Sequence, residues 1–338
     1  MKVANLLLSG LAVAAMAFSA TGCNENTVDP DPSGNAPTAP TNVQASSIGP
    51  SQVALSWTAS TDTGVTYLVS WAPTTGGVAA DSSSATVTSG TTYTATGLAT
   101  NKTYMFYVRA SRSGELSSAA TVTWAGAVRY NTEQGSSTPI RMYEKASTSG
   151  SGLTLDPPTG PKNVSVGTSN TTPNSVQLAV YTTDGNPDNF EIGPAYAFTE
   201  YRNADKFDQN TFVSTLSYPA TSLSTWYSTS DISSQIPTDG NIRAFTFPAA
   251  QTTNGQGFYV RTGTAGNYHY ARVFVKNVGG KLLQGTAPNR YVELEISYQT
   301  NANVAYAKSN GYITPGNVES KVLHPLQPGQ RAGATVGR

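Results

Sequence analysis

The amino-acid sequence predicts an all-β protein built from two sandwich-like domains. Only 12% of its 338 residues are charged, about half the usual quarter, so Ser, Thr, Asn, Gln and Gly must cover most of the surface. Its 18 tyrosines outnumber the 10 phenylalanines and 4 tryptophans together, which is typical of half-buried strand faces. Apolar and polar residues also alternate over most of the length with the two-residue period of a β-strand.

The bulk numbers also limit the classes of partner. The chain is long enough for two domains of about 150 residues each. Its 20 basic residues balance its 20 acidic residues, and a protein without net charge has no long-range field to attract nucleic acid or anionic lipid. We therefore expect no nucleic-acid partner, and any contact with a membrane must have another cause.

Residues 1–22 are predicted to be an export signal. Lys2 precedes an apolar stretch from Leu6 to Phe18, and small residues lead up to Cys23, which is the usual order in a signal peptide. The apolar stretch is shorter than the roughly 20 residues needed to span a bilayer. Residues 23–36 are rich in Asn, Asp, Pro and Gly, a composition typical of a tether.

The tetrapeptide Ala20-Thr21-Gly22-Cys23 resembles the bacterial lipobox, in which signal peptidase II cuts before a cysteine that carries the lipid. It departs from the common pattern at Ala20, where leucine is more frequent. The resemblance implies that Cys23 is lipidated and anchors an exported protein to a membrane, at the outer membrane or the cell surface. Since Cys23 is the only cysteine, the mature chain would contain no disulfide. The alternative is an ordinary signal peptide followed by a free thiol.

Residues 37–125 are predicted to form the first sandwich. Three segments place apolar residues at every second position, and further strands are expected over Thr91–Leu98 and Ala119–Trp124. Together they fit a seven-strand sandwich of roughly 100 residues. The alternating residues are Val53, Leu55 and Trp57; Tyr67, Val69 and Trp71; and Tyr104, Phe106, Val108 and Ala110.

This segment resembles a fibronectin type III domain. The resemblance implies that Leu98 and Tyr104 hold one corner of the fold, the tyrosine through its hydroxyl, and that Trp57 is a core residue. The loop that carries Arg-Gly-Asp in some family members reads Arg112-Ser113-Gly114-Glu115 here. Such a module serves as spacer, display platform or adhesin alike, so it implies a fold and no single function. The matching motifs are Asn42-Val43, Leu55-Ser56-Trp57, Tyr67-x-Val69-x-Trp71 and Tyr93-Thr94-Ala95-Thr96-Gly97-Leu98 followed by Asn101-Lys102-Thr103-Tyr104.

The rest of the chain is predicted to hold a connector over residues 126–161, a second β domain over 162–305 and an extended or disordered tail over 306–338. The second domain is expected to be a sandwich or a jelly-roll-like fold, because short alternating segments are separated by turn residues. It resembles no characterised family. Its predicted strands are Ser175–Thr182, Phe190–Phe198, Thr211–Tyr218, Ile242–Phe247, Gly257–Thr262, Tyr268–Val278 and Tyr291–Gln299.

The last two of these strands carry the clearest pattern. One carries Arg272 and Lys276 on its more polar face, and the other carries Glu293 and Glu295. If the two strands pair antiparallel, these opposite charges can form cross-strand ion pairs. The pattern therefore predicts a sheet with one dry face and one wet face.

No catalytic residue and no cofactor are predicted. The two histidines, His269 on a predicted strand and His324 in the tail, are too few for the usual nucleophilic sets or zinc centres. Glu293 and Glu295 lie about 6.6 Å apart by strand rise, within the roughly 5 to 9 Å that separate glycosidase carboxylates. Because their face also offers cationic partners, the pattern favours ion pairing over glycoside hydrolysis.

A calcium site is an alternative interpretation of one turn. Asp184, Asn186 and Asp188 place oxygen atoms at alternate positions, as calcium loops do. The segment has Ala195 where a twelfth-position carboxylate is needed, and Pro187 lies inside the loop. A turn held by Asx hydrogen bonds accounts for the same residues, so we predict no metal ion.

Four aromatic residues are the candidates for a ligand surface, because exposed aromatic side chains can stack on sugar rings. A buried second layer against a loop or a neighbouring subunit accounts for the same residues and is the favoured interpretation. The favoured function is a non-enzymatic cell-surface lipoprotein, whose type III module is a spacer that presents the C-terminal domain to a surface glycan, a protein partner or further copies of itself. A carbohydrate-binding surface protein is the alternative, and a glycosidase a third. The four residues are Trp226, Tyr227, Tyr268 and Tyr270.

Overall fold

A computed structural model describes most of the two predicted domains. Its described residues contain no helix that is long and apolar enough to cross a membrane. The predicted signal peptide and Cys23 lie outside these residues, as do Tyr227, His324 and two of the calcium candidates, Asp184 and Asn186. The described residues are 36–74, 83–155, 160–164, 176–182, 188–198, 208–223, 226, 235–251, 253–304, 307–308 and 318–323.

The N-terminal domain is a sandwich of two antiparallel sheets. One sheet has the strand order β1-β2-β5, and the other contains β8-β6-β3-β4 with β7 paired to β6. This is the three-plus-four arrangement expected of a type III sandwich. The strands are β1 (Thr41–Gly49), β2 (Gln52–Thr58), β3 (Thr66–Pro73), β4 (Ser83–Val87), β5 (Thr92–Ala95), β6 (Thr103–Arg112), β7 (Glu115–Leu116) and β8 (Ala120–Ala125).

The alternating residues of this domain point into its core. Trp57 is buried and its ring meets that of Tyr67 edge to face, with 5.3 Å between the centroids. Tyr104 lies at the predicted corner: its hydroxyl accepts a hydrogen bond from the Ala99 backbone N–H at 2.9 Å, and Leu98 beside it is buried. The predicted roles of Trp57, Leu98 and Tyr104 are therefore confirmed.

The loop that was compared with the Arg-Gly-Asp loop is a tight hairpin turn between β6 and β7. Ser113 and Gly114, its two central residues, have φ angles of 53° and 92°. Positive φ at both positions is characteristic of the two-residue turn that matches the twist of paired strands. Arg112 and Glu115 are register partners across it, so the turn is closed by backbone pairing.

The C-terminal domain is a second sandwich. Its two sheets run β10-β21-β19-β18-β16-β23 and β12-β11-β13-β14-β17-β24, with β9, β15 and β20 pairing alongside the first. A short 3₁₀ helix, Ala195–Ala197, follows β14. The strands are β9 (Val128–Tyr130), β10 (Ile140–Tyr143), β11 (Gly152–Thr154), β12 (Lys162–Val164), β13 (Leu178–Tyr181), β14 (Asn189–Pro194), β15 (Phe212–Val213), β16 (Leu216–Ala220), β17 (Ile242–Pro248), β18 (Gly255–Thr262), β19 (His269–Val275), β20 (Leu283–Gln284), β21 (Tyr291–Gln299), β23 (Val318–Glu319) and β24 (Lys321–Leu323). Strand β22 (Ala307–Lys308) lies between them in sequence and pairs with β8 of the N-terminal domain.

An apolar core fills the space between these two sheets. Strands β10, β18, β19 and β21 supply it from one side, and β11, β13, β14 and β17 from the other. The aromatic part of this core includes Phe245, which packs against Phe247 and Phe258 at centroid distances of 5.4 and 5.2 Å. Burial of such side chains stabilises the fold by about 1.5–3 kcal/mol each.

The segment interpreted as a connector, residues 126–161, contributes strands to this second sandwich. Strands β9 and β10 both pair with β21, and β11 lies between β12 and β13. Ile140 and Met142 are fully buried opposite Leu294 and Val292. The pattern of Ile140, Met142 and Tyr143 allows a short strand within the connector, and the structure has one there. Strands of three or four residues carry too few alternations to show which sheet they join.

Parts of the predicted tail, residues 306–338, are also paired. Strand β22 joins the N-terminal domain beside β8, whereas β23 and β24 join the two sheets of the C-terminal domain. The composition of this segment predicts an extended or disordered end, and its described residues form short extended strands. Its pairing depends on distant edge strands, which local composition does not encode.

Candidate functional site

The face predicted to be wet is largely covered. We call it the outer face: it is the side of β18, β19 and β21 that points away from the C-terminal core. The N-terminal domain packs on part of it, so that the buried residues of the N-terminal core and those of this face form one cluster. Strand β19 is buried at every position from Tyr270 to Val275, and the predicted division into one dry and one wet face is wrong for this part of the sheet.

Arg272 is at the centre of the contact between the domains. Its side chain is 0% exposed, and its Nη1 donates to the Ser46 hydroxyl at 3.1 Å while Nη2 donates to the Trp226 carbonyl. The guanidinium carbon lies 5.6 Å from the Trp124 ring and 4.4 Å from the Trp226 ring. Arginine stacks well on aromatic faces because its charge is spread over a plane. Two tryptophans from different domains therefore enclose one cation.

The predicted pairing of Arg272 with Glu293 or Glu295 is wrong. The strands do pair antiparallel, but their register places Ser297 opposite Arg272. The side chain also points into the domain contact, away from solvent. Register is set by the apolar residues on the other face of the strand, and the sequence pattern leaves its exact value open.

Hydrogen bonds surround this contact and attach the C-terminal sandwich to the N-terminal domain and to Gly126, the residue that directly follows it. Gln299 donates from Nε2 to the Gly126 carbonyl at 2.6 Å, and Asn301 donates from Nδ2 to the Thr100 carbonyl at 2.9 Å. Within the N-terminal domain, Trp124 donates from Nε1 to the Ser47 hydroxyl at 2.8 Å, which fixes the indole that Arg272 meets. The contact is therefore both apolar and specifically bonded.

The aromatic residues proposed as a ligand surface do not form an open platform. Trp226 is 4% exposed and stacks on Tyr259 and Tyr218, with centroids 5.0 and 5.6 Å away. Tyr270 is 7% exposed and belongs to the same cluster. Tyr268 is partly buried, with its ring 4.6 Å from the Arg261 guanidinium. Of the three described residues, two thus pack as a buried second layer, the interpretation favoured over ligand stacking.

The part of the sheet beyond the domain contact carries charged side chains on its surface. Lys276 donates from Nζ to Glu293 at 2.7 Å, and Arg141 approaches the same carboxylate at 3.2 Å. Arg129 pairs with Glu295 at 3.3 Å. We call these five residues the charged ladder. The predicted pair Lys276–Glu293 is confirmed, whereas Glu295 takes its partner from β9.

The ion pairs of the charged ladder disfavour the use of Glu293 and Glu295 in glycoside hydrolysis. Burial opposes ionisation of Glu293, but the hydrogen bonds and charges of Lys276 and Arg141 outweigh it and hold its pKa below the ordinary value. A general acid needs the reverse, a carboxyl whose pKa is raised so that it keeps its proton near neutral pH. Both carboxylates are instead placed as acceptors of ion pairs.

Neither the calcium interpretation nor a histidine site gains support from the geometry. Asp188, the one described calcium candidate, is exposed at the start of β14. Within the described ranges no three His, Cys, Asp or Glu side chains come close enough to hold a metal ion. His269 stacks on Tyr298 at 6.0 Å, and its Nδ1 lies 3.3 Å from the Gln299 carbonyl.

The most deeply buried of the ion pairs that the sequence does not predict joins Glu144 and Arg290. Glu144 follows β10 and is 2% exposed at its side chain, where Arg290 meets it through Nε and Nη2 at 2.6 to 3.0 Å. The Arg290 backbone N–H and the Thr182 hydroxyl also donate to this carboxylate. Burial opposes its charge, yet these hydrogen bonds and the guanidinium lower the pKa of Glu144. No local signal predicts it, because the two residues lie far apart in sequence.

Comparison with known proteins agrees with the N-terminal architecture. Residues 38–124 match the family model of the fibronectin type III domain. No curated protein matches the sequence.

Solved structures with similarity to the chain include several domains of this family. The fn3 domain of human collagen alpha-1(XX) is 23% identical with a TM-score of 0.26, over 28% of this chain and 89% of that chain. The FN5 domain of Drosophila Lar is 21% identical with a TM-score of 0.23, over 27% and 99%. A two-domain type III segment of chicken tenascin is 11% identical with a TM-score of 0.25, over 71% and 92%.

The strand order, the Tyr104 corner and the family match agree on the same residues. Residues 38–124 therefore form a fibronectin type III domain, which is joined in this all-β chain to a second β-sandwich.

Proposed function

We propose that this protein is a non-catalytic, lipid-anchored protein of a bacterial cell surface, whose two sandwiches act as one stiff body. Fibronectin type III domains are generally non-catalytic modules of surface and binding proteins. The lipobox-like tetrapeptide ending at Cys23 supports the anchor, and residues 23–36 supply a tether between it and the first strand. The body would present the far side of the C-terminal sandwich to a protein or glycan partner.

The observation that carries the stiff two-domain body is the enclosure of Arg272 between Trp124 and Trp226. A simple spacer would need only a linker between its domains. Hinging at this contact would break the hydrogen bonds of the guanidinium to Ser46 and to the Trp226 carbonyl and would expose the apolar residues packed around it. Both losses oppose relative motion of the two domains. The type III domain therefore sets the orientation of its neighbour as well as its distance from the membrane.

The anchor is tested by labelling cells with an alkyne fatty acid while they express the tagged protein or its Cys23→Ala variant. We expect the label on the unchanged protein, which sediments with membranes, and no label on the variant, which is released in soluble form. Ser19→Ala is the matched control and keeps the label. An unlabelled mature protein that begins after Cys23 would overturn the anchor.

The surface location and the stiff body need separate measurements. Protease added to intact cells should degrade the protein if it faces outward, and protection until the cells are broken would contradict that location. In the soluble Cys23→Ala protein, calorimetry should show one unfolding transition for both domains. Two well-separated transitions would show that the domains are independent.

A further inference from the structure

A short segment near the C-terminal end of the described chain closes one side of the second sandwich. We call Val318–Leu323 the edge segment; it comprises β23, Ser320 and β24. Its first strand pairs with β16, an edge of one sheet, and its second pairs with β17, an edge of the other. One segment of six residues thus passes from sheet to sheet and covers both edges.

Backbone hydrogen bonds dominate the attachment of the edge segment. Between its two strands, the Ser320 N–H and hydroxyl both donate to the Thr215 carbonyl, at 2.8 and 3.2 Å. Only Val318 and Leu323, at its two ends, pack against apolar clusters of the domain. Val322 is 41% exposed. The segment is therefore held by little apolar area, which is the main source of binding free energy.

Removal of this segment would leave two neighbouring strand edges with unpaired backbone groups. Such edges recruit any strand that fits them. The best-fitting strand is the same segment of a second copy, because its two apolar ends carry the spacing that the edges already accept. Exchange of an identical element between protomers needs no new contact.

The chain leading to the segment is long enough for such an exchange. Lys308, in β22, is paired with the type III domain, and Val318 follows ten residues later. That stretch reaches up to about 33–36 Å when fully extended. A chain of this length is therefore sufficient for the segment to reach a neighbouring molecule while β22 keeps its place.

We propose that the edge segment is exchangeable between copies of this chain. Val318–Leu323 of one molecule then pairs with β16 and β17 of another. Reciprocal exchange gives a dimer, and one-way exchange gives a linear assembly. The inference goes beyond the proposed function and is independent of lipidation at Cys23, since it rests only on strand pairing in the C-terminal domain.

The test uses two cysteine variants in the Cys23→Ala background, one of them enlarged by a tag. Arg243 and Val322 are register partners between β17 and β24, and cross-strand partners lie close enough for a disulfide. Arg243→Cys protein and tagged Val322→Cys protein are denatured, refolded together and oxidised. We expect a mixed disulfide at least several times more abundant than with the Arg112→Cys protein in place of Arg243→Cys, because Arg112 is half-buried in the type III domain and is not a register partner of Val322.

Two further variants make the outcome decisive. The double variant Arg243→Cys/Val322→Cys should form a disulfide, either within one chain or between two chains. That disulfide shows that β17 and β24 pair in the refolded protein. Ser320→Pro removes the donor to Thr215 and should reduce the mixed disulfide several-fold. If the double variant closes within one chain and the mixture gives no more product than the Arg112→Cys control, the exchange proposal is wrong.

Discussion

Arg272 and Trp124 belong to different domains, yet the guanidinium of one faces the indole of the other at 5.6 Å. The contact is closed on its other side by Trp226. It makes the type III domain and the C-terminal sandwich parts of one cluster of buried residues. Four predictions follow from this and other contacts; each is measured in the soluble Cys23→Ala protein.

Replacement of Arg272 should weaken both domains together. Arg272→Ala removes the hydrogen bonds to Ser46 and to the Trp226 carbonyl together with the contacts to both indole rings. It also leaves a cavity, so we expect the free energy of unfolding to fall by about 3–5 kcal/mol. Urea denaturation followed by tryptophan fluorescence measures this change. Arg272→Met, which keeps most of the volume without the buried charge, should cost markedly less. A loss under 1 kcal/mol for Arg272→Ala would show that the contact does not couple the domains.

The buried pair Glu144–Arg290 should make stability depend on acid pH. The lowered pKa of Glu144 means that its contribution is full above the unfolded value of about 4.3 and is lost as pH falls through the lower folded value. At pH 7, Glu144→Gln should therefore reduce the free energy of unfolding by about 2–4 kcal/mol. The difference in unfolding free energy between Glu144→Gln and the unchanged protein should shrink between pH 5 and pH 3. Urea denaturation at a series of pH values measures it. A difference that stays constant across this range would refute the assignment.

The corner of the type III domain should depend on one hydroxyl. Tyr104→Phe leaves the Ala99 N–H without its acceptor, which should cost about 1–2 kcal/mol. Tyr107→Phe on the same strand is the matched control and should change stability by less than about 0.5 kcal/mol. Thermal unfolding of the two variants side by side measures the effect, and equal melting temperatures would contradict it.

The close approach of Trp226 to β18 should make Gly257 intolerant of a side chain. A Cβ at Gly257 would lie 2.5 Å from the Trp226 ring, whereas one at Gly49 would meet nothing nearer than 3.5 Å. We expect Gly257→Ala to lower the free energy of unfolding by about 1–3 kcal/mol and to shift the tryptophan emission. Gly49→Ala should do neither. An unchanged emission spectrum in Gly257→Ala would mean that Trp226 lies elsewhere.

The sequence by itself determined that the chain forms β-strands, and it determined which side chains fill most of the core of the first domain. Alternation decides which side chains of a strand share a face, so Trp57, Val69 and Phe106 were placed in the core before any partner strand was known. The same two-residue period placed Lys276 and Glu293 among the candidate ion pairs, and the register of the two strands selected them. Which face a side chain takes is a local feature, and local patterns suffice for it.

Only the tertiary structure decided what covers each face. Tyr270 and Arg272 have the pattern of a wet face, and they are buried because another domain packs on them. Likewise the strands of residues 126–161 and Val318–Leu323 exist through pairing with distant edges. Strand pairing and domain packing depend on long-range contacts. A strand face that carries an arginine can still be buried when tryptophan rings stack on the guanidinium and stabilise its charge.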